Sequence, residues 1–137
     1  METMRIKTYR IDQIQIHISP EQQTEPIDLD VQLKSRVNLP SDQKKKSVLF
    51  DLTLTVNAKN EEDFSIFVES SFVLGCQSIP EHYHEDFSEK CLKISAKELS
   101  DKIDCILTQM TYRPLNFYSN MNLYLINSVS FYSHCFH

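Results

Sequence analysis

The sequence contains a single glycine and no tryptophan in its 137 residues. One glycine cannot build the phosphate-cradling loops G-x-x-x-x-G-K-[ST] or G-x-G-x-x-G, which need several residues of unrestricted backbone. Basic residues are in deficit. Fourteen Lys and Arg stand against nineteen Asp and Glu, a formal net charge of −5. Broad nucleic-acid binding, which needs a basic surface to neutralise phosphates, is therefore not expected. No run approaches the roughly 20 apolar residues that cross a bilayer, so no membrane insertion is expected. The opening METMRIKTYR has no apolar core of the kind a secretory signal carries. No C-x-x-C pair occurs. Cys76, Cys91, Cys105 and Cys135 are scattered, as expected of free thiols in a reducing cytoplasm rather than of a disulfide framework or zinc ribbon. Cys105 falls within a helical apolar pattern and is expected to be a small core residue.

What is present is an ordinary globular balance, with 41% hydrophobic and 24% charged residues. The length suits one domain spanning 1–137. Alternation at period two, which marks strands with one buried and one wet face, recurs four times. In the first segment Ile6, Ile14, Ile16 and Ile18 share a parity and Ile11 does not, so a bulge or a change of exposed face between Ile11 and Ile14 is expected. The second is the cleanest. Ile27, Leu29, Val31, Leu33, Val37 and Leu39 alternate with Asp28, Asp30, Gln32, Lys34, Arg36 and Asn38. The third sets Val48, Phe50, Leu52, Leu54 and Val56 against Asp51, Thr53 and Thr55, and the fourth aligns Phe64, Ile66, Val68, Phe72 and Leu74. Short polar links between the last three predict an antiparallel meander of hairpins.

Residues from about 75 to 94 read as a long loop, of a length that is often functional. A helix is expected to begin near Ser95, where Ser95-Ala96-Lys97-Glu98 matches the capping box S-x-x-E. Leu99, Ile103, Ile106, Leu107 and Met110 continue at helical spacing, and Pro114 limits the far end. The tail is apolar and aromatic, and around 121–133 it reads as a strand buried on both faces or lying in an interface. The fold class is thus α+β, an antiparallel sheet of four or more strands with one main helix packed on it.

Reactive chemistry is sparse. His82 and His84, within Glu81-His82-Tyr83-His84-Glu85-Asp86, form the best metal-like cluster, yet no third ligand stands at a diagnostic spacing and a solvated polar loop is the plainer account. No metal or other cofactor is expected. Cys91 has no flanking signature of a catalytic thiol, and Asp101 and Asp104 read as solvating charges on the polar side of the helix. An enzyme is not expected. An excess of apolar side chains remains. Phe67, Val73, Tyr124, Ile126 and Tyr132 sit on the parity opposite the expected core. They either fill a strand covered on both sides or form a surface for protein binding.

The stretch KSVLFDLTLTVNAKNEEDFSIFVESSFVLGC, residues 46–76, resembles the paired long strands of the SecB family of export chaperones, which are joined by a short acidic turn. Upstream, PIDLDVQLKSRV is similar to the preceding strand of that family. Downstream, ELSDKIDCILTQMTYRPLNFYSNMNLYLINSVSF is similar to its helix and Leu-x-Leu segment. The resemblance implies a divergent SecB-like protein, solitary or tied to a toxin–antitoxin system, that works without ATP or metal. It implies apolar grooves holding unfolded polypeptide, assembly as a homo-oligomer (dimer or tetramer), and an acidic sheet face for a partner. The groove residues expected on this basis are Phe67, Phe72, Leu74, Met110, Tyr112, Phe117, Tyr118 and Tyr124. The acidic docking face would comprise Asp28, Asp30 and Asp51. The competing expectation is a regulatory module bound to one folded protein.

Overall fold

The computed structural model describes residues 4–18, 29–40, 46–58, 61–80, 82, 84–110, 115, 118 and 129–135. In chain order these form β1 (Arg5–Ile18), β2 (Leu29–Leu39), β3 (Ser47–Ala58), β4 (Glu61–Gly75), α1 (Glu85–Gln109) and β5 (Val129–Cys135). The strands make one sheet in the order β1-β4-β3-β2-β5. The predicted meander is present, with β2 antiparallel to β3 and β3 antiparallel to β4. β1 pairs antiparallel with β4, which closes a Greek key when the chain is read backwards from β4. β5 adds a fifth strand parallel to β2.

Period two decides which face is covered. Phe50, Leu52, Leu54 and Val56 of β3 are all 0% exposed, and their β4 partners Phe72, Val68 and Ile66 are buried with them. Val31, Leu33, Val37 and Leu39 complete this inner face from β2. α1 lies across it, against β1, β2 and β3. The helix contributes Phe87, Cys91, Leu92, Ala96, Leu99, Ile103 and Leu107 to one continuous core. Those positions recur every three or four residues, the spacing of a single helical face.

β1 carries two bulges where one, or a change of face, was expected. Its register with β4 slips between Ile6 and Thr8 and again between Ile11 and Gln13. Lys7 and Asp12 are the extra residues. Each slip restores the inward parity, so Ile6, Tyr9, Ile11, Ile14, Ile16 and Ile18 all point to the inner face opposite Leu74, Phe72, Ser70, Val68, Ile66 and Phe64.

The helix begins ten residues before the Ser95 expected from the capping box, so the predicted loop of 75–94 contracts to residues 76–84. Gly75 is the last residue of β4. His84 is the N-cap, extended at φ −135° and ψ 124°, with its side chain making no cap hydrogen bond. Ser88 N–H donates to the His84 carbonyl at 3.0 Å. Glu85 and Asp86 occupy the first turn, where carboxylates oppose the positive end of the helix dipole. Ser95 lies instead in the middle of the buried stripe at 0% exposure. The S-x-x-E match is accidental because the stripe extends back through Phe87 and Cys91. At the other end Met110 N–H closes the last turn on the carbonyls of Ile106 and Leu107, before Pro114 is reached. Cys105 is exposed, contrary to expectation, because it stands two residues, or about 200°, from both Ile103 and Leu107 on the helix.

Candidate functional site

Along the edge of the sheet the inner face outruns its cover. Ile6, Ile11, Ile16 and Ile18 are only partly buried, and Ile14 is 38% exposed. These side chains belong to β1, which pairs on one side with β4. Tyr9 anchors the strand at its first half. Its ring stacks on Phe72 with centroids 5.0 Å apart and planes 15° apart. Its phenol is hydrogen-bonded to Glu98 on α1, and its pKa is raised by burial first, then by the Glu98 charge and that bond. Glu98 therefore marks the flank of α1 that faces β1.

The other flank of α1 holds Leu115 and Tyr118. Ser100, about 200° around from Glu98, accepts a hydrogen bond from Tyr118 N–H at 3.3 Å. Asp104, one turn on, accepts Leu115 N–H at 2.8 Å. Met110 extends the buried stripe past its cover, three residues beyond Leu107, and is 47% exposed. The inner side of the molecule thus offers apolar surface at the β1 edge and at the end of α1.

The outer face is polar and tied together across strands. Arg10, Ser71, Asp51 and Arg36 are neighbours in one row from β1 to β2. Ser71 Oγ lies 3.0 Å from Asp51 Oδ1 and 3.1 Å from Asp12 Oδ2, so its single proton serves one carboxylate at a time. Asp12 is paired with Arg10 at 2.6 Å. Asp51 also accepts from Asn38 Nδ2 at 3.1 Å and faces Arg36 at 3.5 Å. One row nearer the sheet end, Leu49 and Val73 are partners, and Leu49 is 45% exposed. They line a shallow cavity of about 260 Å³ with Thr8 and Arg10.

No protein-family model matches the sequence. No curated protein matches it significantly. Among solved structures, the chain is similar to the SecB-like chaperone Rv1957 of Mycobacterium tuberculosis, determined in complex with a ChAD peptide from the Rv1956 HigA1 antitoxin. The TM-score is 0.59 at 11% identity, over 82% of this chain and 87% of that one. The fold is SecB-like. The resemblance drawn from residues 26–131 is therefore correct at the level of fold.

Within this SecB-like fold the described residues among those predicted for the groove fall in three places. Phe72 and Leu74 are fully buried core, because they share the inward parity of β4 beneath α1. Phe67 is half-buried on the outer face, between Gln15 and Thr55. Met110 and half-buried Tyr118 belong to the helix side, so the sheet separates them from Phe67. Tyr112, Phe117 and Tyr124 lie outside the described residues, as does Asp28. Asp30 and Asp51 do share the outer face, but Asp51 is already engaged by Ser71, Asn38 and Arg36. His82 and His84 are exposed, and no three His, Cys, Asp or Glu side chains converge among the described residues. No described helix is long and apolar enough to cross a membrane.

Sequence reasoning missed the β1 isoleucines as a surface. No local signal marked them, because only the strand order makes β1 an edge whose inward side chains outrun their cover.

Proposed function

We propose that this SecB-like protein holds unfolded or aggregation-prone polypeptide without ATP, along the isoleucine face of β1 beside α1. The observation that carries the proposal is the partly uncovered row Ile6, Ile11, Ile14, Ile16 and Ile18 on an edge strand. Apolar burial is non-directional, so a row of aliphatic side chains accepts many extended sequences. The edge of β1 that no described strand pairs adds main-chain donors and acceptors that an extended client can pair as a further strand. The exposed Met110 at the end of α1 and Tyr118 on its opposite flank add a second apolar patch to the client surface. Tyr112, Phe117 and Tyr124 are assigned to the same client surface. Asp30 and Asp51, with Asp28, are assigned to a docking face for a second protein. A polypeptide ligand is supported by the neighbouring fold, since the M. tuberculosis chaperone is bound to an antitoxin peptide. A dedicated client such as an antitoxin is one polypeptide that such a surface would hold. The protein acts in the cytoplasm as a homo-oligomer, dimer or tetramer, and catalyses no reaction.

The test is suppression of aggregation. An unfolded protein is diluted into ATP-free buffer with and without equimolar chaperone, and light scattering is followed. Wild type suppresses scattering, and Ile14→Asp removes the suppression while circular dichroism stays native. A folded wild type that leaves scattering unchanged overturns general holding and favours the module with one folded partner, which pull-down would then identify.

A further inference from the structure

The net charge is −5, yet three cations gather at one end of the outer sheet face. Arg5, Lys7 and Lys46 line a cavity of about 320 Å³ together with Gly75, Cys76 and Gln77. Arg5 and Ser47 flank Gly75 on the neighbouring strands. Lys7, the extra residue of the first bulge, reaches across β4 and donates from Nζ to Ser47 Oγ at 2.6 Å. The crossing is possible because the strand beneath it carries glycine. A Cβ on Gly75 would stand 2.9 Å from Lys7 Cε and 3.4 Å from Arg5 Nε. The chain's one glycine is thus the saddle over which two basic side chains fold. Cys76 N–H donates to the Lys46 carbonyl at 2.9 Å and fixes the third cation at the rim.

No described carboxylate pairs with these three cations, whereas Arg10 and Arg36 on the same face each have one. Gathering like charges is unfavourable unless an anion joins them. The adjoining row supplies a second character. Val73 lies two residues from Gly75 along β4, about 7 Å away, and its partner Leu49 is 45% exposed. The shallow cavity over Leu49 and Val73 therefore adjoins the basic one. An extended peptide places alternate side chains on one face at that same spacing.

We infer that this end of the outer face binds an extended peptide segment bearing an apolar side chain and, two positions along, an aspartate or glutamate. The carboxylate seats among Arg5, Lys7 and Lys46, and the apolar side chain seats on Leu49 and Val73. The apolar row selects a peptide over a free anion. The surrounding negative charge opposes a nucleic acid. The site lies across the sheet from the β1 isoleucines and does not depend on the function proposed for them.

The experiment is fluorescence anisotropy with labelled octapeptides. One carries Leu with Glu two positions on, the second replaces Glu by Lys, and the third replaces Leu by Ala. The Leu–Glu peptide binds at least about tenfold tighter than the Leu–Lys peptide, and added salt weakens it. The double variant Arg5→Glu, Lys7→Glu abolishes this preference, as does Lys46→Glu paired with Gly75→Ala, which displaces Lys7 without removing its charge. All the altered cations are exposed, and native circular dichroism checks the fold. Leu49→Asp weakens the Leu–Glu peptide, whereas Ile14→Asp leaves it unchanged. Conversely the charge reversals leave suppression of aggregation intact, so failure of one site is separable from failure of the other. Equal binding of the acidic and basic peptides, or a preference that survives both charge variants, overturns the inference. Equal binding of the Leu and Ala peptides with full displacement by inorganic phosphate overturns it in favour of a simple anion site.

Discussion

Replacing Ser95 by alanine separates two incompatible roles for one side chain. As an N-cap, Ser95 would satisfy a free amide, and Ser95→Ala would cost about 1 kcal/mol. In the structure Ser95 is in the middle of α1 and wholly buried, and its Oγ has no hydrogen-bond partner among the described residues. A buried hydroxyl without a partner costs about 1–3 kcal/mol. Alanine also gains about 0.5 kcal/mol of helix propensity. The void left by one oxygen takes back part of this, less than about 1 kcal/mol. The net expectation is stabilisation by about 1 kcal/mol. With a urea slope of about 2 kcal/mol per molar, the midpoint rises by about 0.5 M. The assay is urea unfolding followed by far-ultraviolet circular dichroism at fixed protein concentration. Ser88→Ala, whose Oγ is equally buried and unpartnered among the described residues, should move the same way. A lowered midpoint for Ser95→Ala would refute the placement of the helix start at Glu85. The true N-cap offers the converse gain. His84→Asp supplies the missing cap and should add about 1 kcal/mol.

Phe72→Ala removes a fully buried ring stacked on Tyr9 and should cost about 3–5 kcal/mol in urea unfolding, whereas a groove residue would cost far less. Tyr9 should titrate above the ordinary phenol value of 10.0. Its folded pKa is raised, so the unfolded chain loses this proton first, and stability falls as pH climbs from about 10 toward the folded value. Tyr9→Phe should flatten that alkaline fall, and an unchanged slope would refute the raised pKa of Tyr9. Thiol reactivity should divide cleanly in a Cys135→Ser background. Exposed Cys105 reacts quickly with a disulfide reagent, while Cys91, buried and with its thiol pKa pushed up by desolvation and then by Cys76, reacts only after unfolding. Rapid labelling of Cys91 in the native protein would contradict its place in the core.

Much of the architecture was legible because its cause is local. Alternation along residues 29–39, 47–58 and 64–74 assigned each side chain to a face, and short polar links set the antiparallel order of β2, β3 and β4. The off-parity Ile11 signalled a bulge or a change of face, and the pairing with β4 decided for the bulge. Other features depend on partners distant in sequence. The S-x-x-E match at Ser95 satisfied a local rule, but the stripe that buries α1 needs the sheet to define its direction, and that direction carries the helix back to Glu85. The sheet also determines that Phe72 is core and Phe67 is not its neighbour in a groove, since a strand has two faces and the helix covers one. Only strand order makes β1 an edge whose isoleucines outnumber their cover. Only the pairing of Arg5 and Ser47 with Gly75 lets Lys7 cross a strand and gather three cations in an acidic chain. Periodicity is a property of neighbouring residues and can be read from the sequence, whereas edges, covered faces and convergent charges arise from contacts between distant segments and exist only once the chain has folded.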